Sequence, residues 1–275
     1  MLRLNILLFG LLLGPASVAT TASAAEAYGF GIGPQQSVNE LAKRWTPILM
    51  YLSEKTGVNL QFRTAKDIPN FQQQMKQGAF DFAFINPYHF LEISKHTGYT
   101  AFAKEAEGKL VGVLVVKKDG PITDIHQLQG QTLAFPAAAA LAATWLPLNH
   151  LNQKEVQVTP QYVVSMDSVY RSVAKGLFPA GGGEMRTLGT IDPEVRSQLQ
   201  ILWTSQALPP FPFIVHPRVP KDIVARVQKA MDEMDENAEG LALLKSINFK
   251  GMGIATDADY QGMRAMNIKP IVSNP

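Results

Sequence analysis

Phe80-Asp81-Phe82-Ala83-Phe84-Ile85 is apolar at every position but one, and it halts at Asn86-Pro87. A strand with one face in water alternates polar and apolar residues, whereas a near-continuous apolar run belongs to a parallel strand covered on both faces by helices. Proline ends such a run, because it has no amide donor for the ladder and restricts the residue before it. The preceding sequence supplies the elements this strand needs. Ala27 to Ile32 is an apolar strand, and a helix follows from Asn39 to Thr56, with Trp45, Ile48, Leu49 and Leu52 at helical spacing. Ser37 is placed to cap that helix, with Glu40 as the reach-back partner of a capping box, and Gly57 to close it. Val58 to Phe62 is the next strand, and the helix Ile68 to Gln77 leads through Gly78 into the central run. A β-α-β-α-β order predicts a doubly wound, mostly parallel sheet.

The remainder reads as a second unit of the same kind. After His89 a helix runs to His96, then a strand from Tyr99 to Lys104 and a polar turn, Glu105 to Gly108. Leu110 to Val116 is strongly β-prone and is predicted to cross between lobes, with a short helix at Ile122 to Leu128 beyond it. Gln129 to Phe135 is a turn and strand, Pro136 to Asn149 an alanine-rich helix, and Gln157 to Val163 a strand. Ser165 starts a helix to Lys175, Phe178 to Gly183 reads as strand and glycine loop, and Ile201 to Trp203 as a strand. Pro209 to Phe213 is a rigid connector, and the helices Lys221 to Met234 and Ala238 to Ser246 pack back on the first lobe. The expected architecture is a two-lobed α/β protein. Residues 25–109 with 214–275 form one lobe, residues 110–213 the other, and the hinge lies near 108–116 and 205–215.

Arg3, the apolar stretch Leu4 to Leu13 and Ala22-Ser23-Ala24 make a secretory leader, predicted to be cleaved after Ala24 for export to the periplasm. The apolar stretch falls short of the ~20 residues that span a bilayer. The absence of cysteine excludes disulfides, thiolate metal sites and cysteine nucleophiles. A formal charge of +2 with no Lys/Arg run gives no footprint for nucleic acid. The five histidines show no metal-ligand spacing, and neither a nucleophile elbow nor a Walker loop is present. The reading is a monomeric binding protein, not an enzyme, with no cofactor.

Ligands of open α/β sheets bind beyond the carboxyl ends of the strands. That rule selects Asn86, Tyr88 and His89 after the central strand, with Tyr28 and Gln35 flanking the first. Gly78-x-x-Asp81-x-Ala83 with a Pro87-Tyr88 loop, Trp45-Thr46-Pro47-Ile48-Leu49-Met50-Tyr51-Leu52, close to W-x-P-L-x-x-Y-L, and Asp124 to Phe135 with Leu128, Gly130 and Phe135 in register are suggestive together. So are Pro147 and the closing segment Pro209 to Pro220. In this order they resemble the phosphate/phosphite/phosphonate-type periplasmic solute-binding proteins of ABC transporters, across essentially the whole chain after the leader. The resemblance implies a two-lobed fold that traps a small oxyanion between its lobes, with Tyr88 as a ligand contact and an ABC permease as partner.

The departures concern the anion site. Where the family carries Ser-Thr-Ser-Gly, this chain has Ala140-Leu141-Ala142-Ala143; its His-Asp pair reads Met166-Asp167, and an acidic position reads Pro179. Backbone amides at the start of the alanine helix and in the Gly181-Gly182-Gly183 loop are the remaining anion donors, and Arg186 could clamp an anion. Against these stand plainer readings: tight helix packing for the alanines, a turn with positive φ for the glycines, and an ion pair with Glu184 or Glu194 for Arg186. Asp167 is better explained as a helix cap, and Trp145 as core. The lost hydroxyls leave a second functional reading open, a ligand-sensing module that docks on a membrane sensor kinase or cyclase.

Overall fold

A computed structural model describes residues 26–34, 37–163 and 165–266; the leader and Gln35 lie outside them. In chain order, the strands are β1 Ala27–Ile32, β2 Asn59–Arg63, β3 Phe82–Phe84, β4 Thr100–Glu105, β5 Gly112–Lys117 and β6 Thr132–Phe135, then β7 Thr159–Tyr162, β8 Ala180–Glu184, β9 Leu199–Thr204, β10 Pro212–Val215 and β11 Met252–Ile254. The α-helices are α1 Val38–Thr56, α2 Ile68–Lys76, α3 Pro87–Thr97, α4 Leu146–Gln153 and α5 Met166–Ala174, then α6 Met185–Thr190, α7 Pro193–Ser197, α8 Lys221–Asp232, α9 Ala238–Ser246 and α10 Ala258–Gln261.

The strands form two separate sheets, ordered β11-β4-β10-β3-β1-β2 and β7-β6-β8-β5-β9. In the first, β2, β1 and β3 are parallel, while β10 runs against both β3 and β4. In the second, β7, β6 and β8 are parallel and β5 runs against β8 and β9. Helices cover both faces of each sheet. Phe30, Phe82, Phe84 and Phe213 point to the face under α1, α8 and α9, where they meet Trp45, Val227, Met231 and Leu244. The opposite face buries Ala83, Ile85 and Ile214 against Phe71, Met75 and Phe90 of α2 and α3. The period of two along β3 and β10 thus loads both faces with apolar groups, as the continuous run requires.

The chain passes between the sheets twice, from β4 to β5 and from β9 to β10. The two passages pair with each other. Leu110 and Leu208 exchange backbone hydrogen bonds of 3.0 and 2.9 Å, and the Ser205 N–H donates to the Gly112 carbonyl at 2.8 Å while the Ser205 hydroxyl oxygen accepts from the Gly112 amide at 2.9 Å. The paired passages make a short antiparallel ribbon between the lobes.

Four local expectations are corrected. The α1 capping box is half-formed: Ser37 accepts from the Glu40 amide, but Glu40 leans toward Arg44 instead of reaching back. Asn86 to His89 is not a loop but the opening of α3, with Pro87 at the first helical position and Asn86 as N-cap. Proline suits that position because the first helical amides have no intrahelical acceptor to lose. The alanine-rich segment does not begin as a helix at Pro136. It holds a turn through Ala140, then one π turn, Leu141–Trp145, and only then α4. Finally, Gly181 to Gly183 lie inside β8, in the middle of the second sheet, with no positive φ.

Candidate functional site

Both sheets direct the carboxyl ends of their parallel strands at the space between the lobes. A cleft of about 170 Å³ there is lined by Ile32, Phe84 and Glu105 at the ends of β1, β3 and β4, and by Glu184 at the end of β8. Trp45 of α1, Phe211 and Phe249 supply aromatic walls, and Arg186 reaches in from α6. Phe84 lies 5.0 Å from Trp45, 5.5 Å from Phe211 and 5.9 Å from Phe249, ring centre to ring centre.

Arg186 bridges the lobes. Its guanidinium donates to the carboxylate of Glu105, which is buried at the end of β4, and it stands over the Phe249 ring at 5.6 Å. The expected partners, Glu184 and Glu194, are therefore replaced by a residue 81 positions away. The Glu184 carboxyl has no hydrogen-bond or ion-pair partner among the described residues. Burial raises its pKa first and Glu105 adds to the rise, while Arg186 opposes both.

On the other side of the sheets the lobes meet through aromatic contacts. Tyr88 packs edge-on against Trp145 at 4.9 Å, and His89 does so at 5.8 Å. Leu141, Ala142, Trp145 and Leu146 of the second lobe join the same apolar cluster as Ile85 and Phe90 of the first. Burial lowers the pKa of His89 to about 4, with Glu92 only partly opposing, so its ring is neutral at physiological pH. Burial raises that of Tyr88. Neither the Tyr88 hydroxyl nor the His89 ring has a hydrogen-bond partner among the described residues, which leaves both polar groups available at the seam.

The π turn organises the segment where hydroxyls were missing. The Trp145 amide reaches back five residues to the Ala140 carbonyl at 3.1 Å. The wider turn lets the Thr144 hydroxyl donate to the Ala137 carbonyl at 2.8 Å and the Trp145 indole donate to the Ala138 carbonyl at 2.6 Å. In a planar trans peptide the carbonyl and the next N–H point in opposite directions. The amides of Ala138 and Ala139 are therefore turned away from the side chains that hold those carbonyls. Ala140 itself contributes its carbonyl to the π turn.

The remaining predicted residues fall elsewhere. The Asn86 side chain is committed to the Tyr88 amide at 2.8 Å as the α3 cap. Tyr28 sits near the start of β1, roughly 13 Å from Ile32 at 3.3 Å per residue, with its hydroxyl on Glu26. It marks the wrong end of the strand for the cleft. Gly181, Gly182 and Gly183 are packing positions: a Cβ would meet Val169, the Ala143 carbonyl and Phe135, or the Tyr170 hydroxyl, respectively. The Tyr170 hydroxyl occupies the room above Gly183 and bonds the Glu184 amide and carbonyl at 2.9 and 3.0 Å. Asp167 is not the α5 cap, a role Ser165 fills by accepting from the Ser168 amide; it pairs with Arg171 at 2.7 Å on the exposed face of α5. Glu105, Glu184, Trp45 and Phe249 were not anticipated as lining residues. The strand-end rule that picked out Asn86 applies equally to Glu105 and Glu184, each the last residue of its strand.

Comparison with known proteins agrees with this geometry. The sequence pattern of the phosphonate periplasmic substrate-binding proteins of ABC transporters matches residues 30–260. The phosphonates-binding periplasmic protein of Escherichia coli K12 is 30% identical over 107 residues, which are 38% of this chain and about a third (32%) of that protein. PhnD1 of Prochlorococcus marinus, solved with methylphosphonate, superposes with a TM-score of 0.76 at 15% identity, over 88% of this chain and 97% of that one. A binding protein component of an ABC phosphonate transporter from Pseudomonas aeruginosa gives 0.74 at 18% identity, over 88% and 85%. None of the helices among the described residues is long and apolar enough to cross a membrane. Two facing sheets, a shared cleft at their strand ends and a match over most of the chain identify this protein as a member of the phosphonate-type periplasmic substrate-binding proteins of ABC transporters.

Proposed function

We propose that the protein captures a small solute between its lobes and delivers it to an ABC permease, bending at the paired passages around Leu110 and Leu208. The observation that carries this reading is the seam between the lobes at the strand ends, where Tyr88 and His89 of one lobe meet Trp145 of the other. A solute held by groups of both lobes favours the closed form only through what it gains there over the open form. That requires contacts on both sides, and Tyr88 and His89 face the second lobe from the first.

A small oxyanion of the phosphonate or phosphite class is the first ligand to test. Its oxygens would rest on the main-chain amides of Ala138 and Ala139 and on the Tyr88 hydroxyl, in place of the absent hydroxyl side chains. Isothermal titration with phosphite and methylphosphonate is the measurement, with small-angle scattering to read compaction. Binding that compacts the protein and weakens at least tenfold in Tyr88→Ala supports the reading. A Tyr88→Ala variant that binds unchanged counts against the site.

The missing hydroxyl run favours one second reading, a sensing module whose closed form docks on a membrane sensor kinase or cyclase. Affinity capture from membranes separates the two. Recovery of a permease supports transport, and recovery of a sensor protein supports signalling.

A further inference from the structure

We infer that Ser205 is the pivot of the hinge. Its hydroxyl replaces a main-chain acceptor between the two passages, at the step where their pairing slips by one residue, and so sets how the π turn is held against the first lobe. The inference rests on the reading of the protein as a solute trap that bends at these passages, and it names the atoms that bend.

Where β5 and β9 leave the second sheet, Val113 lies opposite Thr204. The next pair along the passages is Leu110 opposite Leu208. Val111 and Gly112 on one side therefore face Ser205, Gln206 and Ala207 on the other, and one residue more on one chain is the count of a β-bulge. Gly112 and Ser205 stand opposite each other at this step. In an antiparallel ladder, residues so placed exchange both main-chain bonds. Here one of the two is main chain, from the Ser205 amide to the Gly112 carbonyl at 2.8 Å. The Gly112 amide goes instead to the Ser205 hydroxyl at 2.9 Å, and that hydroxyl donates in turn to the Gln206 carbonyl at 2.8 Å. One side chain thus satisfies the ladder and holds the bulge.

The substitution matters for movement. A hydroxyl on a rotatable bond can follow an amide that changes angle, whereas a carbonyl is fixed in its peptide plane and moves only with the chain. Gly112 is buried, so its amide needs an acceptor in every position the hinge takes up. Gly112 is also the floor of the π turn: a Cβ there would collide with the Ala142 carbonyl and press on Leu146. The π turn carries Trp145 to Tyr88 and His89, and it places Leu141 and Ala142 in the apolar cluster shared with the first lobe. A change of angle at Gly112 therefore reaches the seam through main chain packed on main chain. Ser205 is a positioning residue that acts on the seam through Gly112 and the π turn.

Small-angle scattering on the mature chain, Ser205→Ala and Ser205→Thr tests this, each with and without methylphosphonate. Ser205→Ala strands the Gly112 amide. It is expected to enlarge the radius of gyration before solute is added, with an unchanged far-ultraviolet spectrum, and to speed hydrogen exchange at Gly112. Ser205→Thr keeps the hydroxyl and should restore both values. By titration calorimetry, Ser205→Ala should weaken phosphite and methylphosphonate by the same factor, roughly fivefold for one lost hydrogen bond, because closure is affected and contact is not. A saturating dose should return that variant to the parent's closed radius. The inference is overturned if Ser205→Ala keeps the parent radius, even where it melts lower, since that result describes a plain structural bond. It is equally overturned if Ser205→Thr behaves as Ser205→Ala does. A parent that binds neither solute, while the radius still follows the hydroxyl at position 205, counts against the solute-trap reading and leaves the pivot standing.

Discussion

Gly182 passes directly under the π turn, and a Cβ there would press on the Ala143 carbonyl and the Phe135 ring. Both neighbours are fixed, one in the main chain and one in the core, so the strain cannot be relieved by a side-chain swing. Gly182→Ala is expected to lower stability by roughly 1–3 kcal/mol through overpacking, visible in denaturant melts, although the backbone conformation itself suits any residue. His89 carries a pH signature. Its pKa falls to about 4 in the folded protein from an ordinary 6.5. Between those values the unfolded chain binds the proton and the folded one does not. Stability therefore rises with pH across that window, being fully present above 6.5 and lost as pH falls toward about 4. The linkage is worth at most ~3 kcal/mol. Urea melts at both ends of the window should show a shallower pH slope in His89→Gln than in the parent; equal slopes would refute the buried, neutral imidazole.

At the level of elements, the first turn of α3 and the π turn before α4 decide what the seam presents. Asn86 caps α3, so Asn86→Ala should cost about 1 kcal/mol of stability while Asn86→Asp keeps it. Thermal melts of the pair would separate a cap from a ligand contact: a full loss of solute affinity with unchanged stability in Asn86→Ala would reverse the assignment. Trp145 was readable as core, and it is buried. Its second task, holding the Ala138 carbonyl, depends on a π turn that no residue pattern in the alanine stretch announces. The same stretch reads as continuous helix because alanine has the highest helix propensity and nothing polar interrupts it. Tertiary packing overrides that propensity, since the turn must clear Gly112 and Gly182 of the sheet beneath it.

Across the whole molecule, Arg186 joins the lobes through Glu105 and Phe249 on the side of the sheets opposite Tyr88 and Trp145. Arg186→Ala leaves the Glu105 carboxylate buried without its partner. We expect a stability loss of roughly 1–3 kcal/mol from the unsatisfied group, and a larger radius of gyration by small-angle scattering as the lobes separate. An unchanged radius would mean that the aromatic seam alone holds the lobes together.

Local sequence marked most of the strands and helices, the parallel strands of the first lobe and the family resemblance, because each follows from nearest-neighbour chemistry: apolar runs, proline stops and glycine ends. It read β10 as part of a rigid connector and did not announce β11, α6, α7 or α10. It also marked Tyr88 and His89, since a strand end can be recognised without knowing what faces it. Only the tertiary structure decided which charges meet. Glu105 and Arg186 are far apart in the chain, and their pairing depends on how two sheets are set against each other. The glycines of β8 were misplaced for the same reason: a missing Cβ looks alike in a turn and under a close-packed neighbour, and only the neighbour tells them apart.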